Sequence, residues 1–201
     1  LRNSSAASDV YKRQREKRPY AFVDMDGKQA FEKACTYLAG LGHRRIALLN
    51  GEPGFMFPVG CREGYESGLF LSGLELDPDL IREWKHQDPS QSSYRWTLEL
   101  FKNDNPPTAI IFQTEAVNGI FKGLDELDLQ PGKDVALIGY DDLEIARTHR
   151  PSLSVLRPQA REAGHRVVNI LMEVIKGEDP GKFQEIHQVE MVIRETSLPP
   201  S

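Results

Sequence analysis

Asp134-Val135-Ala136-Leu137-Ile138-Gly139-Tyr140-Asp141-Asp142 is the stretch from which the fold can be read. From Val135 to Gly139 nothing polar interrupts the run, which suits a strand covered on both faces in a parallel sheet better than a half-exposed one. The run then stops at an aromatic ring and two carboxylates. In an open α/β sheet, ligands settle just beyond the carboxyl ends of the strands, and that is where Asp141 and Asp142 fall. The stretch predicts a buried strand that delivers an acid to the rim of a ligand-binding sheet.

The chain on either side keeps the same rhythm. Upstream, Thr108-Ala109-Ile110-Ile111-Phe112 predicts another buried strand, with a helix over 116–127 between the two. Arg45-Ile46-Ala47-Leu48-Leu49 predicts a third, followed by the loop Asn50-Gly51-Glu52-Pro53-Gly54. Ahead of it Asp26 stands where a helix N-cap belongs. Ala30, Phe31, Ala34, Leu38 and Leu41 follow at three-to-four spacing, and Gly42 closes the helix. Tyr20-Ala21-Phe22-Val23 predicts a short strand before that cap. Residues 59–71 predict a helix stopped by Gly73, and 80–84 a further strand. Ser90 or Ser92 is placed to cap the helix carrying Tyr94, Leu98 and Phe101. Downstream, 151–156 is extended and Pro158 starts a helix, at a position where proline is tolerated, that runs to Gly177. Residues 186–193 alternate enough for a last strand, at a sheet edge. Strand, helix, strand in alternation is the βαβ pattern of an α/β fold.

Composition narrows the function classes. At 201 residues, 39% apolar and 27% charged, the chain is long enough for a sizeable core and is neither a disordered tail nor a coiled coil. A net charge of −5 argues against a duplex-binding surface spread over the whole domain. Cys35 and Cys61 make neither a disulfide framework nor a CxxC metal site, so a reducing cytoplasm is the simpler compartment. No apolar run approaches a membrane span and no signal peptide opens the chain. Residues 1–18 read as a disordered leader, and those up to Gln14 look like translated adapter sequence rather than native protein. Their basic cluster, Lys12, Arg13, Arg15, Lys17 and Arg18, lacks interleaved aromatics for stacking on bases and reads as a solvated tail.

Six segments, in order and at compatible spacing, carry a resemblance. They are Leu41-Gly42-His43-Arg44-Arg45-Ile46-Ala47-Leu48-Leu49, Arg62-Glu63-Gly64-Tyr65 and Pro107-Thr108-Ala109-Ile110-Ile111. After these come the opening stretch, Pro151-Ser152-Leu153-Ser154-Val155, and Val192-Ile193-Arg194-Glu195-Thr196-Ser197. Together they resemble the effector-binding region of lactose-repressor-type (LacI/GalR) bacterial transcription regulators, from about Arg18 onward. The resemblance implies a type I periplasmic-binding-protein-like α/β fold with a doubly wound parallel sheet. Two subdomains joined by crossover strands would hold a sugar or similar effector in their cleft. It implies a cytoplasmic, dimeric regulator, with operator DNA bound through an N-terminal helix-turn-helix not in this chain, no membrane partner and no cofactor. On this alignment residues 19–201 are a partial effector domain, with 25–156 and 186–197 in the carboxy-proximal subdomain. The helix over 158–176 then belongs to a mostly missing amino-proximal subdomain, so Val167, Ile170, Leu171 and Val174 are expected to be more exposed than their type, or packed in an improvised way. A sugar-binding protein of a transporter shares the fold and is the alternative; an enzyme comes third.

The resemblance also implies site residues. Asp141 matches the family aspartate that accepts effector hydroxyls, a task a carboxylate performs with two O–H donors. The competing role, N-cap of a short helix near Leu143, suits Asp142 better. Arg62 aligns with the arginine that grips the effector, and the alternative is a surface ion pair with Glu63 or Glu66. Met56, in Gly54-Phe55-Met56-Phe57-Pro58, belongs to an apolar rim that either stacks on a sugar ring or simply packs. Thr114 lies beyond a strand where relatives carry Asn-Asp or Ser-Asp, and it shares that position with Gln113 and Glu115. Asp88 aligns with an often aromatic contact position, with a turn role beside Pro89 as the alternative. His43, Arg44 and Arg45 read as a helix-to-strand turn with basic residues at a helix C-terminus. Cys35 and Cys61 read as buried hydrophobes. No nucleophile trio, phosphate loop or metal spacing stands out in the sequence.

Overall fold

A computed structural model describes residues 20–84 and 88–198; the proposed leader and its basic cluster lie outside the described residues. The chain runs β1 (Phe22–Met25), α1 (Gly27–Gly40), β2 (Ile46–Asn50), α2 (Met56–Leu71), β3 (Ile81–Glu83) and α3 (Pro89–Phe101). It continues β4 (Ala109–Phe112), α4 (Val117–Glu126), β5 (Ala136–Tyr140), α5 (Glu144–Thr148) and β6 (Ser154–Pro158). It ends α6 (Ala160–Ile175), β7 (Gln184–His187) and β8 (Val189–Val192). Six strands form one sheet in the order β3-β2-β4-β5-β6-β8, parallel except for antiparallel β8 at one edge. β1 and β7 pair in parallel as a separate two-stranded sheet.

The uninterrupted apolar runs lie where burial on both faces demands them. β2, β4 and β5 are buried at every position. Their alternating side chains feed two cores, one on each side of the sheet. Ile46, Leu48, Ile111 and Ile138 pack with Phe31, Leu38, Cys61 and Tyr65 from α1 and α2. Ala47, Leu49, Ile110 and Leu137 pack with Leu100, Ile120 and Leu124 from α3 and α4. Asp26 caps α1 through Gln29 N at 2.8 Å, and Gly42, at φ +99°, ends it as the sequence predicts. Arg44 donates to Ala39 O at 2.9 Å, a cation on the C-terminal carbonyls of α1.

Several boundaries differ from the sequence reading. The strand expected at 20–23 lies at Phe22–Met25, where its pairing with β7 continues as far as His187. α2 starts at Met56 rather than Val59, because Pro58 sits in the first turn, where no intrahelical N–H bond is lost. Asp88, not Ser90 or Ser92, caps α3, accepting from Ser90 N at 2.9 Å and Gln91 N at 3.3 Å. Pro158 closes β6 opposite Val189, and the helix begins at Ala160. The single strand expected over 186–193 is two strands broken at Gln188, β7 in the small sheet and β8 in the large one. A continuous strand could not pair with both β1 and β6. On α6, Val167 and Leu171 are 50% and 55% exposed, whereas Ile170 is buried and Val174 half-buried.

α1 and α2 pack closely because Gly64 carries no side chain: a Cβ there would meet Lys28 O at 2.0 Å. One residue on, the Tyr65 hydroxyl donates to Ile46 O at 2.8 Å, pinning α2 to β2. Gly64→Ala is expected to destabilise the protein by about 1–3 kcal/mol through backbone overlap, at roughly 2–4 °C of melting temperature per kcal/mol. Gly60→Ala is the control, since its Cβ would meet nothing closer than Lys28 N at 3.8 Å. It should leave stability unchanged or raise it by up to about 1 kcal/mol through helix propensity. Thermal melts of both variants decide it, and equal effects would contradict the packing account.

Candidate functional site

The carboxyl ends of β4 and β5 face the end of β1 and the start of α6 across a cleft of about 360 Å³. Gln113, Thr114 and Glu115 follow β4 into it, and Tyr140 and Asp141 enter from β5. Phe57 comes from the first turn of α2, Asp24 and Met25 from β1, and Pro158 and Ala160 from the junction of β6 with α6. A second groove of about 290 Å³ lies along Phe22, Val167 and Leu171. Its walls are apolar and hold no converging polar groups to orient a small molecule, so the β4–β5 cleft is the better candidate.

Asp141 is the first residue after the fully buried strand. Its N–H donates to Leu156 O at 2.8 Å, and its φ of +69° places it in the left-handed region. Such a conformation costs a non-glycine residue on the order of 1–3 kcal/mol, less for aspartate, and persists where the surroundings impose it. Burial, reinforced by the charge of Glu115, raises its carboxyl pKa above the ordinary value. Beside it, Thr114 Oγ1 is buried without a hydrogen bond to protein. A buried hydroxyl left open in this way calls for an explanation, and a ligand hydroxyl would supply one.

The cleft floor is built from aromatic and amide groups. Tyr140 is 7% exposed, meets Phe57 edge-on at 4.7 Å between centroids and stacks on Phe31 at 6.2 Å. Burial raises the Tyr140 hydroxyl pKa, so it stays protonated. Gln113 Nε2 donates to Asn50 Oδ1 at 2.8 Å, and Asn50 Nδ2 donates to Pro58 O at 2.8 Å. That chain ties the end of β4 to the start of α2 and so fixes Phe57.

The other expected contacts are placed differently. Arg62 lies outside the cleft lining, its Nε on Glu66 at 2.9 Å and its Nη1 on Glu83 at 3.2 Å. The ion pair with Glu66 was legible on the helix; the link to Glu83 in β3 was not. Met56 starts α2, but Phe57 is the residue that turns into the cleft. Asp88 spends its carboxylate on the cap of α3. Asp142 does not cap α5, whose N-cap is Leu143 with no side-chain bond. Instead its carboxylate faces Arg194 at 2.9 Å, Arg157 at 3.5 Å and Arg147 at 3.8 Å. Burial works against its charge, but the hydrogen bond from Arg194 and the three guanidinium charges outweigh it, and its pKa lies below the ordinary value.

Asp24, Met25 and Tyr140 are cleft residues that the sequence did not mark as contacts, whereas Phe57 belongs to the apolar rim that it did mark. Tyr140 carried a usable signal, as the residue before Asp141 at a strand end. Asp24 and Met25 depend on where the small sheet sits, which no local pattern encodes. The thiols behave as buried hydrophobes: burial pushes the Cys35 thiol up to about 12, and Cys61 is raised as well. Among the described residues no group of His, Cys, Asp and Glu could hold a metal ion. No helix of the described residues is long and apolar enough to cross a membrane. The arrangement can accept hydrogen bonds from hydroxyl groups and cover a ring with an aromatic edge.

A family profile described as a periplasmic binding protein-like domain matches residues 35–197. The HTH-type transcriptional regulator AglR of Rhizobium meliloti is 32% identical over 186 residues, which are 90% of this chain and 52% of that protein. The HTH-type transcriptional repressor PurR of Histophilus somni is 27% identical over 166 residues, 81% of this chain and 49% of that protein. The chain spans about half the length of these curated relatives. Among solved structures, a regulatory protein of LacI family from Chloroflexus aggregans superposes with a TM-score of 0.84 at 25% identity, covering 97% of this chain and 73% of that one. A transcriptional regulator CelR–cellobiose complex superposes with a TM-score of 0.81 at 22% identity, covering 89% of this chain and 54% of that one, and bears on the fold.

The raised Asp141 pKa has a definite sign for stability. The folded state holds this proton more tightly than the unfolded chain, so stability falls as pH rises from the unfolded carboxyl value to the folded one. Asp141→Asn keeps the size and tolerates the same backbone. It should melt above wild type at pH 7 without ligand, with the gap closing as pH falls toward about 4. A variant that melts below wild type at pH 7 would contradict the buried-charge account.

Proposed function

The chain belongs to the periplasmic binding protein-like family, in the branch found in LacI-type transcription regulators, and we propose that its cleft senses a small sugar. The observation that carries this reading is Asp141, held in a left-handed conformation at the end of β5 with its carboxylate partly desolvated in the cleft. A carboxylate so placed accepts two sugar hydroxyls in fixed geometry. Thr114 Oγ1 offers a further polar contact, and Phe57 with Tyr140 offers the apolar edge on which a pyranose face rests. Arg62 joins the site by exchanging Glu83 for the effector. Met56 and Asp88 have no part in it. That one structural neighbour was solved with cellobiose supports a saccharide over other polyols.

In this reading the effector brings the two sheets to a preferred mutual position. In a cytoplasmic dimer, that bias would reach helix-turn-helix heads of the kind named in the relatives AglR and PurR and alter operator binding. These relatives are transcription regulators rather than enzymes.

A thermal-shift screen of glucose, galactose, maltose, sucrose and cellobiose on the full-length protein tests the reading. At least one should raise the melting temperature. Asp141→Ala should remove that shift, because charged hydrogen bonds worth about 1.5–3 kcal/mol correspond to roughly tenfold or more in affinity. Unchanged affinity in this variant would sink the assignment. Arg62→Ala should weaken binding as well, whereas affinity equal to wild type would confine Arg62 to its ion pairs.

A further inference from the structure

The chain passes between the two sheets at three places: β1 to α1, β6 to α6, and β7 to β8. Asp142 lies beside the last two. Its side chain is 7% exposed, and Arg194 Nη2, from the chain leaving β8, donates to Oδ2 at 2.9 Å. Arg157 of β6 reaches the same oxygen at 3.5 Å and binds Glu190 of β8 at 2.8 Å through its other nitrogen. Arg194 also donates to Leu153 O at 2.9 Å, just before β6. One carboxylate thus ties the exit of β5 to both strands that lead to the small sheet. Immediately before it, Asp141 holds a backbone conformation that must be imposed from outside, with Leu156 O on β6 as its other anchor.

A buried ion pair adds little net stability over an apolar replacement of the same shape, because desolvation consumes most of the attraction. In some proteins such a pair serves instead to fix a geometry. We propose that Asp142 is a positioning residue for the effector site: its arginine clamp pins the chain after β5 against the crossover strands and thereby holds the Asp141 carboxylate in the cleft. Released from the clamp, the chain at Asp141 relaxes toward an ordinary φ and turns its carboxylate away. The inference rests on the reading that Asp141 contacts the effector.

The test uses the full-length protein and isothermal titration with cellobiose, or with glucose, maltose or sucrose if one of these shifts the wild type more. Asp142→Asn removes the charge and keeps the shape. Arg157→Gln loosens the clamp from a partly exposed position and remains informative if the first variant fails to fold. Asp142→Glu keeps the charge. The expected result is at least tenfold weaker binding for Asp142→Asn, measured well below its melting temperature, with weaker binding in Arg157→Gln and partial recovery in Asp142→Glu. A lowered melting temperature with wild-type affinity in Asp142→Asn would make the cluster merely structural and overturn the inference. So would an unfolded Asp142→Asn together with wild-type affinity in Arg157→Gln. If Asp141→Ala binds as wild type does, or if no sugar binds wild type, the reading of the cleft fails first and the inference falls with it. Loss of binding in Asp141→Ala with full binding in Asp142→Asn defeats the inference alone.

Discussion

Burial of β5 on both faces governs what happens at its end. Ala136 to Tyr140 are covered by the two helical layers, so the strand runs on only while its side chains tolerate a dry surrounding. Two carboxylates cannot follow it into that core without partners. The structure resolves the conflict differently for each. Asp142 is compensated by arginines from α5, β6 and the chain after β8. Asp141 receives no such compensation, keeps a raised pKa and faces the cleft. Adjacent residues of one type are separated into a fixed anchor and a carboxylate open to the cleft by where the cations lie.

The same division explains which parts of the molecule were legible in the sequence. β2, β4 and β5 are continuous apolar runs, and α1 is marked by Asp26 and Gly42 at its ends, so local periodicity and capping sufficed. Tyr65 and Gly64 likewise occupy positions set by the contact of α2 with β2 and α1. The division of residues 184–192 into β7 and β8 was not legible, because both halves look like strand and only their remote partners separate them. Asp142 was misread for the same reason. An aspartate before a short helix looks like a cap, and two of the three arginines that claim it, Arg157 and Arg194, lie far along the chain.

The cleft was half legible. Its β5 wall followed from the rule that α/β sheets bind ligands at their carboxyl ends, and family resemblance pointed to Asp141. Asp24 and Met25, on the opposing wall, enter because β1 pairs with β7 in its own sheet. Arg62 was legible in its place on the helix and only partly in its partners. Its helix position is as expected, yet its guanidinium is held by Glu66 and Glu83. Phe57 replaced Met56 because the start of α2, one turn earlier than expected, sets which side chain of the apolar rim points inward.

The most direct measurement is a coupling cycle between the ligand and Asp141. A sugar that binds the wild-type protein is compared with its single-deoxy analogues, each titrated against wild type and Asp141→Asn. The account predicts that removing one or two particular hydroxyls weakens binding to wild type, by about tenfold or more for a charged hydrogen bond, and changes little in the variant. The two losses would then be the same interaction counted twice. Equal losses in both proteins at every hydroxyl would show that Asp141 accepts none of them and would contradict the account.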